Sequence, residues 1–369
     1  MSDIAVPYVM QDVQSVGRNG FSVVSTFAGC GGSSLGYRIA GFSVLAAVEF
    51  IPIAAETYEA NADARTRVMC RDVRTISGAE ILGDIGLKVG ALDVLDGSPP
   101  CASFSTAGLG AKKWGAVRKY SETKQRTDDL FAEYIRLVDE LRPKIFIAEN
   151  VRGLVSGTGI GTFFDIHDML TDIGYRVEAR LLDSQWLGVP QMRQRVIIMG
   201  VRNDLVSRTG EPLRPLFPLP RKRRTIVADA CPWMCDEHGD EHGPVPVNEI
   251  DENELGPSID RYAIGQRWHT LRLGERPEKS CYNMVRLDPS RPAQTITATD
   301  GCVSAAGTTH PYVCRRLSVP ELRRICSFPD DFILLGTYQQ RVERIGRSVP
   351  PLMMGAVARC VADILGRAY

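Results

Sequence analysis

Short apolar runs alternate with helical patterns through the first two hundred residues of the chain. The runs at 21–27, 43–50, 91–95, 144–148, 176–182 and 195–201 are rich in branched and aromatic side chains and read as strands. Between them, 33–40, 52–61, 127–141 and 161–172 carry apolar positions at helix spacing. Thr127, Asp128 and Asp129 supply an N-cap and first-turn acids for the third of these. Strands alternating with helices predict an α/β fold: a doubly wound, mostly parallel sheet covered on both faces.

The texture changes near residue 203. From 202 to 292 the chain is rich in Pro, Gly and charge, with little periodicity. It includes the basic run Arg221-Lys222-Arg223-Arg224 and an acidic stretch at 236–254. Helical patterns return at 317–326 and 352–365. We expect a first domain over 1–202, a smaller irregular domain over 203–334, and a segment 335–369 that returns to the first. There is no internal repeat.

Composition narrows the classes. Of 369 residues, 44% are hydrophobic and 24% charged, which excludes a disordered chain. The 44 basic and 44 acidic residues cancel, so no overall positive charge points to nucleic acid, although a local basic patch suffices to engage phosphates. Ten cysteines scattered through a long chain do not read as a disulfide framework. Residues 1–20 lack a signal-peptide pattern, and no run reaches the roughly eighteen apolar residues of a membrane helix. The expectation is a soluble protein of a reducing, cytoplasmic compartment with no membrane partner.

The first predicted strand runs into Ala28-Gly29-Cys30-Gly31-Gly32-Ser33-Ser34-Leu35-Gly36. Glycines there let the backbone turn tightly and approach a ligand at the strand's carboxyl end. A dinucleotide fingerprint would need glycine at 34, which is Ser34, so a nicotinamide dehydrogenase is disfavoured. Glu49 ends the second strand, where an acid can accept hydrogen bonds from a ribose. Asp72, near the end of a third, could take an adenine amino group, and Phe50 could stack on a purine. Together these point to a nucleoside cofactor.

Next, Pro99 and Pro100 fix the backbone before Cys101, presenting a candidate thiolate nucleophile at the sheet's carboxyl edge. Residues 106–126 follow with six basic residues against the single acid Glu122, interleaved with Trp114 and Tyr120. A cationic, glycine-containing loop of this kind suits closure over a polyanion. Glu149, at the end of the 144–148 strand, is a candidate general acid. Alternation predicts that Arg193 and Arg195 lie on one side, two forked donors at one site.

In this order the motifs resemble the DNA (cytosine-5) methyltransferases. The resemblance runs from Phe27-Ala28-Gly29-Cys30-Gly31-Gly32 through Pro99-Pro100-Cys101, Glu149-Asn150-Val151 and Gln191-x-Arg193-x-Arg195. It continues through Arg291-Pro292-Ala293-Gln294-Thr295, Phe328-Pro329-Asp330 and Gly346-Arg347-Ser348-Val349-Pro350. It implies S-adenosylmethionine as cofactor and a cytosine flipped from double-stranded DNA as substrate. Cys101 would add to the pyrimidine, with Glu149, Arg195 and Arg193 at the catalytic site. Phe27, Gly29, Gly31, Glu49, Phe50, Asp72 and Pro100 would line the cofactor site, completed by Ser348 and Val349. The irregular domain would be a target-recognition domain, positioned with help from Arg291 and Thr295.

Two positions depart from the family's pattern: Ala102 stands where Gln is common, and Arg347 where Asn is usual. The setting implied is DNA methylation, in a restriction–modification system or as a stand-alone modifier. The protein would act as a monomer, with any cognate restriction endonuclease acting separately. A tRNA methyltransferase of the same fold and a catalytically silent DNA-binding module are the alternatives. The inserted region favours DNA, whose bases must be read in the grooves, and the intact Cys101, Glu149 and Arg195 argue against silence. Cys231, Cys235, His238 and His242 are spaced too tightly for a zinc finger, and no metal is expected.

Overall fold

A computed structural model describes residues 4–100, 118–120, 123–125, 130–235, 270–275, 284–300 and 307–368. Its chain divides into two compact units, each discontinuous in sequence.

The larger unit holds 16–182, 194–219 and 354–369. After the short helix α1 (Met10–Gln14) of the other unit, its elements begin with β1 (Ser22–Thr26), α2 (Gly32–Ile39), β2 (Ser43–Glu49) and α3 (Pro52–Asn61). Then come β3 (Arg67–Cys70), α4 (Gly78–Ile85) and β4 (Val94–Gly97). A hairpin of β5 (Arg118–Tyr120) and β6 (Thr123–Gln125) precedes α5 (Leu130–Leu141) and β7 (Ile145–Val151). Last are α6 (Ile160–Asp172), β8 (Tyr175–Asp183) and β9 (Gln194–Arg202). Seven strands form one sheet in the order β3-β2-β1-β4-β7-β9-β8. The pairs β2–β3, β1–β2, β1–β4 and β4–β7 are parallel, and β9 runs antiparallel to β7. This is the doubly wound, mostly parallel sheet the alternation predicts.

The strand order reverses between β1 and β4, and in such sheets ligands bind outside the carboxyl ends of the strands at that switch point. The glycine loop after β1 and the prolines after β4 therefore share one edge. Burial explains why the central strands read as unbroken apolar runs: β4 and the apolar body of β7 are covered on both faces. One core cluster joins Val24, Leu95, Phe146 and Ile198 of the sheet to Leu82 of α4 and Tyr134 of α5. Helix α4 carries a capping box from Ser77 and Glu80 that the apolar pattern alone did not reveal.

The second unit holds 1–15, 183–193 and 220–353. Its boundaries differ from 202/203 and 334/335 because tertiary bonds cut across the change of texture. Asn203 donates to the Gly174 carbonyl, Leu213 is buried, and Arg180 stacks over Phe217, so 203–219 stays with the sheet. Residues 190–193 instead join the second unit: Met192 donates to the Ala293 carbonyl and Ala293 to that of Pro190. The amino-terminal segment joins it too, since Tyr8 bonds through its hydroxyl to the Ser327 carbonyl and through its own carbonyl to the Asp330 amide. At the other end, the helix Pro351–Ala368 carries the chain back: a Cβ at Gly355 would stand 3.3 Å from Ile39 of α2. The stretch 338–368 is long and apolar enough to cross a membrane by composition, but most of it is buried within the fold.

Candidate active site

The glycine loop turns on three alternate residues with positive φ: Phe27 (52°), Gly29 (57°) and Gly31 (96°). For Phe27 this left-handed conformation is strained, and strain of that kind persists where surrounding structure holds it for function. A Cβ at Gly29 would meet no atom within 4 Å, so the loop leaves open space above its backbone. Gly31 serves as N-cap of α2, whose first turn thus has no side-chain cap.

Glu49 reaches across from the end of β2 and ties the loop down. Its Oε2 accepts from the Gly29 amide at 2.7 Å and its Oε1 from the Ile51 amide at 2.8 Å. At the end of β3, Asp72 accepts from the Arg74 amide at 3.0 Å, and the Arg74 guanidinium lies 3.1 Å from its other oxygen. Phe27 and Phe50 are both half-buried. The open cradle over Gly29, with one acid after each of the next two strands, fits a small ligand bearing a ribose and a purine amino group.

On the far side of the switch point, Pro99 is buried and Pro100 half-buried. Asn150 Nδ2 donates to the Pro99 carbonyl at 3.1 Å and so fastens the proline turn to β7. One residue earlier, Glu149 is 7% exposed and its Oε1 stands 2.8 Å from Arg195 Nε. Register creates the pair: Glu149 lies opposite Ile197 and Val151 opposite Arg195 across the antiparallel β7–β9 ladder. Arg195 Nη1 also donates to the Gln194 carbonyl at 2.7 Å. Burial lowers the Arg195 pKa from its ordinary value, and the neighbouring Glu149 carboxylate opposes that shift.

Arg193 does not join this pair. Its guanidinium, 2% exposed, donates to the Ile296 carbonyl at 3.0 Å and the Gly346 carbonyl at 2.9 Å, within the second unit. Period-two alternation does not apply to it because β9 begins only at Gln194. Thr295 bonds through its hydroxyl to the Met192 carbonyl, and Arg291 pairs with Asp288. A Cβ at Gly346 would fall 2.4 Å from the Thr297 backbone, so this close approach requires glycine. Ser348 caps the preceding helix by donating to the Arg344 carbonyl, Val349 is buried, and Arg347 pairs with Glu343 at 2.9 Å. In the basic run, Arg224 stacks over Trp186 and Arg223 pairs with Asp229. Cys101, Ala102, His238 and His242 lie outside the described residues, as do most of the cationic loop and the acidic stretch.

A doubly wound sheet, a glycine loop answered by Glu49 and Asp72, and a buried Glu149–Arg195 pair beyond the prolines define the class: a methyltransferase of the S-adenosylmethionine-dependent type. The comparisons then fix the family. The family model of the C-5 cytosine-specific DNA methylases matches residues 21–362, and the chain belongs to that family. Among curated relatives, the Type II methyltransferase M.Sau96I of Staphylococcus aureus is 31% identical, covering 96% of this chain and 79% of its own. M.SacI of Streptomyces achromogenes is 29% identical over 93% of both chains. Solved structures with the same fold include a DNMT2 of Spodoptera frugiperda and the methyltransferase EhMeth of Entamoeba histolytica. The first has a TM-score of 0.62 at 16% identity and covers 93% of this chain and 99% of its own. The second has 0.63 at 15%, covering 94% and 98%. The protein is a DNA (cytosine-5)-methyltransferase that uses S-adenosylmethionine.

Proposed function

We propose that Cys101 is the nucleophile of this reaction, Glu149 the acid and Arg195 the anchor of the target ring, on a cytosine flipped out of duplex DNA. The observation that carries the reading is the buried Glu149–Arg195 pair, held beside the proline turn by the bond from Asn150 to Pro99. Carbon 5 of cytosine is a weak nucleophile. Addition of the Cys101 thiolate to carbon 6, with a proton passed from Glu149 to ring nitrogen 3, turns the ring into an enamine with electron density at carbon 5. Arg195 steadies the ring oxygen through charge-assisted hydrogen bonds. S-Adenosylmethionine supplies an electrophilic methyl group. Carbon 5 would take that methyl group with release of S-adenosylhomocysteine. Loss of the carbon 5 proton to solvent would then restore the double bond, expel the Cys101 thiolate and return the nitrogen 3 proton to Glu149.

Phe27, Gly29, Gly31, Glu49, Phe50, Asp72 and Pro100 hold that cofactor in this reading, Glu49 toward the ribose and Asp72 toward the adenine. The open space over Gly29 supports it. Ser348 and Val349 are assigned to the same cofactor by resemblance alone. Arg193 is a positioning residue in this account, joining the Ile296 and Gly346 carbonyls. Within the second unit, 220–334 keep the role proposed in target recognition, and 354–369 return to the catalytic unit. By likeness to Type II methyltransferases, we infer that the protein acts as a cytoplasmic monomer protecting sites that a separate endonuclease cuts.

Incubation with S-adenosylmethionine and duplex DNA of mixed sequence, followed by bisulfite mapping, tests the reading. Protected cytosines within one recurring sequence are expected. Methyl transfer to tRNA and not to DNA overturns it.

A further inference from the structure

Beneath the glycine loop lies a buried acid that none of these roles uses. Asp96, on β4, is 1% exposed and pairs in register with Ser25 of β1. Its Oδ2 accepts from the Ser25 hydroxyl at 2.9 Å and from the Ser33 hydroxyl at 2.8 Å. Ser33 lies in the first turn of α2, two residues beyond Gly31. The Tyr37 hydroxyl of α2 interacts with the same carboxyl. A buried acid ringed by hydroxyls from two elements needs a reason to persist in a close-packed core.

The surroundings supply one. Helix α2 starts from a glycine with no side-chain cap, and both Gly29 and Gly31 before it are at positive φ. Such a turn has no covalent stiffness of its own. Asp96 provides an external anchor, since one oxygen holds the helix start and β1 at once. The groups facing it are Ser33 and Tyr37 of α2, Tyr58 of α3, Tyr134 of α5, Ser25 of β1 and Glu149 of β7. Desolvation, with the Glu149 charge adding to it and hydrogen bonds from Ser33, Ser25 and Tyr37 opposing it, pushes the Asp96 carboxyl up to about 7.

We propose that Asp96 is a positioning residue for the cofactor: by holding Ser25 and Ser33 at one oxygen, it locks the glycine turn and the first turn of α2 into the shape that receives S-adenosylmethionine. The proposal rests on the assignment of the glycine loop to that cofactor.

The test is calorimetric binding of S-adenosylhomocysteine, beside KM for S-adenosylmethionine and kcat on duplex DNA. The variants are Asp96→Asn, Asp96→Ala, Ser33→Ala, the Asp96→Ala/Ser33→Ala double variant and Glu49→Ala. Melting curves select folded protein, and Ser33→Ala, which removes one hydroxyl, serves if Asp96→Ala does not fold. Asp96→Ala and Ser33→Ala should each weaken binding about tenfold or more and raise KM to match, with kcat at saturation changed less than about threefold. The double variant should be no worse than Asp96→Ala, because both remove one linkage. Asp96→Asn keeps an acceptor oxygen and should stay within about threefold of the parent. Wild-type affinity in Ser33→Ala and Asp96→Ala, with Glu49→Ala weakened, overturns the role of Asp96 alone. A loss of kcat at unchanged KM also overturns it. Wild-type affinity in Glu49→Ala as well overturns the cofactor assignment itself.

Discussion

Arg195 Nε stands 2.8 Å from Glu149 Oε1, and the two side chains, 14% and 9% exposed, face each other across the β7–β9 ladder. A pair removed this far from water is costly to break, because either partner left alone is a desolvated charge. Arg195→Ala should lower stability by about 3 kcal/mol and methylation by ~100-fold or more. The double variant Arg195→Met/Glu149→Gln should regain most of the stability and remain inactive. Denaturant melts beside methyl-transfer rates separate the two effects, and recovered activity in the double variant contradicts the roles given to both residues.

Two glycines should respond in opposite ways. Gly29 has a positive φ but open space where a Cβ would project, so Gly29→Ala should cost only about 1 kcal/mol of stability while sharply weakening S-adenosylhomocysteine binding. Gly346→Ala would drive a methyl group to 2.4 Å from the Thr297 backbone and should chiefly lower the melting temperature. Calorimetry and thermal melts on the two variants read the contrast directly.

Asp96 gives stability a pH dependence of definite sign. Its folded-state pKa of about 7 lies above the ordinary carboxyl value, so the folded protein holds a proton that the unfolded chain releases. The contribution is present in acid, falls as pH rises from about 4, and is lost once pH passes about 7. The stability of Asp96→Asn relative to the parent should therefore rise between pH 5 and pH 8, on the order of 2 to 3 kcal/mol. A difference independent of pH would contradict the burial argument.

Much of this was legible in sequence because the sheet is parallel and buried. Unbroken apolar runs such as 145–148 mark a strand buried on both faces, and glycines after such a strand imply a turn toward a ligand. The place of Glu49 beside the glycine loop was readable because its partner, Gly29, follows the neighbouring strand at the same edge. Asp96 was not. Its partners, Ser25 and Ser33, lie 71 and 63 residues away, and an acid before glycine and two prolines looks like an ordinary turn residue. Arg193 misled for a related reason: its carbonyl partners lie 103 and 153 residues downstream, whereas alternation describes only a strand's interior. The unit boundaries were hidden likewise, because backbone bonds such as Met192 to Ala293 leave no compositional trace.

In the proposed mechanism Cys101 carries out the chemistry. The direct measurement is transfer of a labelled methyl group from S-adenosylmethionine to duplex DNA by the parent protein and by Cys101→Ala, each shown to bind S-adenosylhomocysteine. Cys101→Ala should bind the cofactor product normally and transfer no methyl group above background. Methyl transfer at a rate near that of the parent would contradict the account.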